Sequence, residues 1–114
     1  MIQTFHKDQK IDPNEIFKKF PWLIKCEFEN ALMEIKNNDL IWSYGVWNNG
    51  TWYDGVWYNG TWKDGIWEKG IWNYGTWEDG NWEDGTWYNG NWENGTWKNG
   101  TFKNGTWKNG KWLS

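Results

Sequence analysis

From Trp42 to Trp112 an aromatic residue stands at every fifth position: Trp42, Trp47, Trp52, Trp57, Trp62, Trp67, Trp72, Trp77, Trp82, Trp87, Trp92, Trp97, Phe102, Trp107 and Trp112. Glycine lies three residues behind each of the first fourteen, from Gly45 to Gly110. The unit reads G-x-W-x-[N/D], as in Gly95-Thr96-Trp97-Lys98-Asn99. The residue before each Trp is mostly β-branched (Val46, Thr51, Val56, Thr61, Ile66, Ile71, Thr76), which suits a strand. Asn-Gly or Asp-Gly usually closes the unit, which suits a turn with left-handed geometry. The pattern predicts one short strand and one turn per unit, repeated and stacked.

Residues 1–41 lack this period and are assigned to an N-terminal cap; residues 42–114 are the repeat domain. Asp12-Pro13-Asn14-Glu15 predicts a helix start, with Asp12 as N-cap, Pro13 at N1 and Glu15 closing a capping box. Ile16, Phe17 and Phe20 fall near one face, and Pro21 ends the helix or forces a kink. Residues 26–35 admit two readings. Phe28, Leu32 and Ile35 fit a helical stripe. Cys26-x-Phe28 and Ala31-x-Met33 instead repeat the small-x-large spacing of Gly45 and Trp47, as degenerate first repeats. The second reading is preferred, with Lys36-Asn37-Asn38-Asp39 as a turn.

A five-residue unit ending in Asn-Gly could build an antiparallel β-meander of short hairpins. Every Trp would then share one face, a large apolar patch with nothing else in the chain to cover it. A β-solenoid with every Trp inward avoids that patch. Burying one aromatic ring removes roughly 150–250 Å² from water, about 4–6 kcal/mol as an upper bound.

Charges after each aromatic bear on the coil length. A twenty-residue offset stacks Lys63 on Glu83, Glu83 on Lys103 and Glu78 on Lys98, all opposite. A ten-residue offset stacks Glu68 on Glu78, Glu83 on Glu93 and Lys98 on Lys108, while a fifteen-residue offset stacks Glu68 on Glu83 and Glu78 on Glu93. Stacked strands sit about 4.8 Å apart, so the series predicts four units per coil and about four coils.

On the spacing Gly45/Trp47 through Gly110/Trp112, with Cys26/Phe28 and Ala31/Met33, the chain resembles the pentapeptide-repeat proteins over residues 26–114. The resemblance implies a quadrilateral β-helix. Trp stands where that family usually has Leu or Phe, and Gly where it has Ala.

Composition narrows the function. Aromatics make up 22% of the chain, too many for disorder. A net charge of −3 argues against broad nucleic-acid affinity, and no run is long enough to span a membrane. The first eight residues contain no apolar stretch of a signal peptide. One cysteine excludes an intrachain disulfide and points to a reducing, cytoplasmic setting, while basic residues that are all Lys and abundant Asn point to an A/T-rich bacterial or viral genome, a virion component included.

Catalytic chemistry is sparse. His6 reads as a solvated side chain near a mobile terminus. Cys26 reads as a buried inert thiol. Ser43 and Ser114 have no base placed to activate them. Asp79, Glu83 and Asp84 read as a solvated acidic face rather than a calcium cage. No enzyme, cofactor or metal is expected.

The leading expectation is a structural or protein-interaction module that self-associates through an uncapped last coil near Trp97, Phe102, Trp107, Trp112 and Leu113. The most direct form is a two-fold homodimer. Outward Tyr53, Tyr58 and Tyr88 are candidate partner contacts. Two alternatives stand: a DNA-mimicking acidic rod, as in some members of the resembling family that act on gyrase, and a carbohydrate- or surface-binding module.

Overall fold

The computed structural model describes residues 1–113; Ser114 lies outside the described residues. The chain runs from strand β1 (Gln3–Phe5) to helix α1 (Pro13–Lys19), a 3-10 turn (Pro21–Lys25) and a long hairpin, β2 (Glu27–Lys36) and β3 (Asp39–Asn49). Thirteen two-residue strands follow, β4 (Thr51–Trp52) to β16 (Lys111–Trp112), one per repeat.

The cap forms largely as its sequence predicts. The Asp12 carboxylate accepts the Asn14 N–H at 2.9 Å and Pro13 opens the helix. The Glu15 N–H donates to the Asp12 carbonyl at 2.9 Å, but no bond from the Asp12 N–H to the Glu15 carboxylate completes the capping box among the described residues. Ile16 is fully buried, with Phe17 and Phe20 packed beside it, and Pro21 starts the 3-10 turn. Residues 27–36 are strand, not helix. Asn37 and Asn38 take φ of 53° and 67°, the left-handed pair of a two-residue hairpin turn. The small-x-large spacing is realised: Cys26, Phe28, Ala31 and Met33 are all buried. However, β2 runs antiparallel to β3, so this opening layer is traced in the opposite direction to the coils below it.

The repeats form a parallel β-solenoid. The only antiparallel pairing among the described residues is β2 with β3, so the meander is not the fold. The coil closes after three sides, not the four expected from charge. Ile41 pairs with Val56, Val46 with Thr61 and Thr51 with Ile66, each fifteen residues on. Fifteen aromatic positions therefore give five coils rather than about four.

Two physical reasons explain the discrepancy. First, the fifteen-residue offset also creates opposite pairs, Lys98 with Glu83 at 3.2 Å and Lys108 with Glu93 at 3.3 Å. The like pairs Glu68–Glu83 and Glu78–Glu93 lie on the outer surface, where a charge pair contributes only about 0–1 kcal/mol. Second, ring packing carries far more energy and selects three sides. Successive indoles meet edge to face, Trp62 on Trp67 at 5.8 Å and 70°, Trp67 on Trp72 at 5.9 Å and 71°. Each indole also stacks on the one a coil below, as Trp62 on Trp77 at 4.7 Å and 5°. Three such columns fill the axis; a fourth side would open a hole there. Twelve tryptophans, Trp42 to Trp97, are fully buried in this way.

Glycine makes the corner. Gly75 has φ +124°, and a Cβ placed on it would collide with the carbonyl oxygen of Gly60 in the coil above. Alanine is thus excluded twice, by backbone conformation and by space. Cys26 and Ala31 continue this column into the cap, Cys26 against Gly50 and Ala31 against Gly45. The ladder itself is regular: Lys63 N–H donates to the Trp47 carbonyl at 2.8 Å, and Ile66 N–H to that of Gly50 at 3.0 Å.

Candidate interaction surfaces

The two ends of the indole column differ. At the first coil, Phe28 lies over Trp47 (6.4 Å, 25°) and meets Trp42 edge-on, while Trp22 meets Trp52 at 5.6 Å. Side chains close the backbone as well. The Gln9 amide donates to the Met33 carbonyl at 2.9 Å and accepts the Met33 N–H at 2.7 Å, imitating a strand. Gln3 donates to the carbonyls of Leu23, Ile24 and Cys26, tying the terminus to the 3-10 turn.

At the other end the last coil, β14 (Thr101–Phe102), β15 (Thr106–Trp107) and β16, packs on the coil before it. Phe102, Trp107 and Trp112 stack on Trp87, Trp92 and Trp97 at 5.6, 4.7 and 4.9 Å. They also meet one another edge to face. Exposure rises along the chain: Phe102 and Trp107 are half-buried, Trp112 is 45% exposed and Leu113 63%. Trp97, grouped with them from the sequence, is fully buried beneath Trp112 and presents no surface.

Lysines gather at this end, but two are paired. Lys98 and Lys108 each reach a glutamate one coil above, and Lys103 lies over the Tyr88 ring at 5.7 Å.

The three predicted contact tyrosines separate. Tyr53 meets Trp22 edge to face at 5.7 Å and lines a cleft of about 640 Å³ between cap and first coil, with Pro21, Lys25 and Cys26. Tyr58 and Tyr88 stand two coils apart on one side and are exposed. Tyr44 and Tyr74, equally exposed, were missed because only the position after each Trp was read as outward.

The remaining reactive side chains are occupied. Cys26 is buried, its thiol donates towards the carbonyls of Trp22 and Thr51, and burial pushes its pKa up to about 11. His6 belongs to an ordered terminus: β1 pairs with β2, and His6 Nδ1 accepts the Asp8 N–H at 3.0 Å. Ser43, half-buried, lines a small groove with Asp8, Lys10 and Met33. Asp79 and Asp84 each accept the N–H of the following glycine, while Glu83 pairs with Lys98.

The fold defines the class: a repeat protein built as a parallel β-solenoid with fifteen-residue coils and a tryptophan core. Comparison with protein-family profiles, curated proteins and solved structures finds no match in any of the three. No helix among the described residues is long and apolar enough to cross a membrane.

Proposed function

We propose that the chain is a non-enzymatic scaffold that self-associates through its last coil. The observation that carries this reading is the partly exposed aromatic layer of Phe102, Trp107 and Trp112, set against a first coil sealed by Phe28, Trp22 and Gln9. A second copy related by a two-fold axis supplies a matching three-ring layer and fits without any new surface chemistry. The narrow dimensions of the molecule, 27 × 21 Å, limit the area of such an end face. That places the contact at the small end of stable interfaces, with a Kd on the order of micromolar.

Charge sets the sign of the salt dependence. A two-fold contact brings Lys103, Lys108 and Lys111 of both copies to one plane, so salt screening strengthens association. Sedimentation velocity at increasing concentration is expected to show a monomer–dimer equilibrium that shifts towards dimer between low and physiological salt. Trp112→Asp is expected to remove the dimer. A monomer at all concentrations up to about ten times that Kd contradicts the proposal.

Kinship with the pentapeptide-repeat proteins then reduces to unit length and small-x-large spacing, since three-sided coils replace four. A reducing, cytoplasmic setting accords with the single buried Cys26. The DNA-mimic alternative gains nothing from Lys98–Glu83 and Lys108–Glu93, which offset acid with base on the lower coils.

A further inference from the structure

Four of the five tyrosines share one corner of the solenoid. Tyr44 and Tyr74 precede the corner glycine in the first and third coils; Tyr58 and Tyr88 follow the tryptophan in the second and fourth. The two positions are neighbours in the chain, so the rings form a zigzag, one per coil, down a single edge. All four are exposed, between 42% and 53%. Between Tyr44 and Tyr74 runs a shallow groove of about 200 Å³, lined also by Asn59, Thr61, Thr76 and Asn91. None of its lining residues is charged, although 24% of the chain is.

Spacing and chemistry together select a ligand class. Consecutive coils rise by about 4.8 Å, so tyrosines in the same column stand about 10 Å apart. That is close to the length of one disaccharide in an extended β-1,4-linked chain of hexoses. In such a chain every second sugar turns the same face to the same side. Its C–H face suits a tyrosine ring, and its equatorial hydroxyls suit amide and threonine side chains. The neutral lining suits an uncharged polymer and gives no counter-charge to an anionic one.

We propose that this corner binds a neutral β-1,4-linked glycan lying along the solenoid axis. Tyr44 and Tyr74 stack on alternate sugars, and Asn59 and Thr61 bond to the hydroxyls between them. Tyr58 extends the track on the adjacent column, and Tyr88, whose ring Lys103 overlies, marks its far end. The strip occupies coils one to four and stays open when the last coil is covered, so it stands or falls separately from self-association.

The test is calorimetric titration of the full chain with cellohexaose and with chitohexaose, the two arms separating glucan from N-acetylglucosamine sources. Maltohexaose, α-linked and curved, is the control. At least one β-linked hexasaccharide is expected to bind, with maltohexaose at least tenfold weaker. Tyr74→Ala is expected to lower affinity about tenfold and Tyr44→Ala/Tyr74→Ala to remove it. Tyr53→Ala, on the far cleft, should leave it unchanged. Unshifted tryptophan emission verifies the fold of each variant. Failure of both β-linked ligands to bind at millimolar concentration overturns the proposal. So does binding that survives the double substitution or does not distinguish maltohexaose.

Discussion

A buried indole carries both the largest gain and the main polar debt of this fold. Twelve are fully enclosed, and only Trp72, Trp82 and Trp87 among them place Nε1–H on a carbonyl, those of Asn89, Asn99 and Asn104. The other nine buried indole N–H groups have no hydrogen-bond partner. Each such group costs about 1–3 kcal/mol, and the column stands because ring burial exceeds that. Cys26 gives a sharper residue-level test. Its thiol ionises near 9 when unfolded but is raised to about 11 in the fold. Below pH 9 both states hold the proton and Cys26 adds no pH dependence. Above it the unfolded state loses its proton first, so stability falls as pH rises from 9 to 11, by about 2–3 kcal/mol. Cys26→Ala is expected to flatten that part of the denaturation profile, since alanine already fills the equivalent position at Ala31. Urea midpoints measured at pH 8, 9, 10 and 11 check this, and an equally steep decline in the variant contradicts it.

At the scale of the element, no two-residue strand is stable alone; each exists because a neighbour fifteen residues away completes it. Deleting residues 76–90 removes one coil and returns every later side chain to its own face. Deleting residues 76–80 keeps the Gly and Trp spacing and leaves Lys98 with Glu83 and Lys108 with Glu93, both pairs lying after the cut, but rotates everything after it by one side and so moves Glu83 from Glu68 to Lys63. Both variants are expected to fold. Circular-dichroism melts are expected to show one cooperative transition in each, and loss of that transition in the shorter deletion would contradict a unit that fits any side of the coil. Several elements were legible in the sequence. The Trp period gave the inward column, Asp12-Pro13 the helix start, and Cys26-x-Phe28 the first layer. Strand direction in that layer was not legible, because burial spacing is the same whichever way a strand is traced. Coil length was misjudged because it was read from exposed charges, whose pairing is weak, instead of from the rings. The tyrosines held the better signal: Tyr44, Tyr58, Tyr74 and Tyr88 are separated by 14, 16 and 14 residues, on either side of the true coil of fifteen.

For the whole molecule, a polar outer surface surrounds a buried aromatic column that is sealed at one end and partly exposed in its last coil. Which residues share a face, and hence both proposed surfaces, follows from a three-sided winding. Paired cysteines read that winding directly in solution. In a Cys26→Ala background, Glu68→Cys with Glu83→Cys places two thiols on laterally adjacent strands, within the span a disulfide bridges. Lys63→Cys with Glu83→Cys places them on different sides. Under mild oxidation the first pair is expected to close within the monomer and the second to stay reduced. Closure of the 63–83 pair with the 68–83 pair left open would contradict the three-sided column.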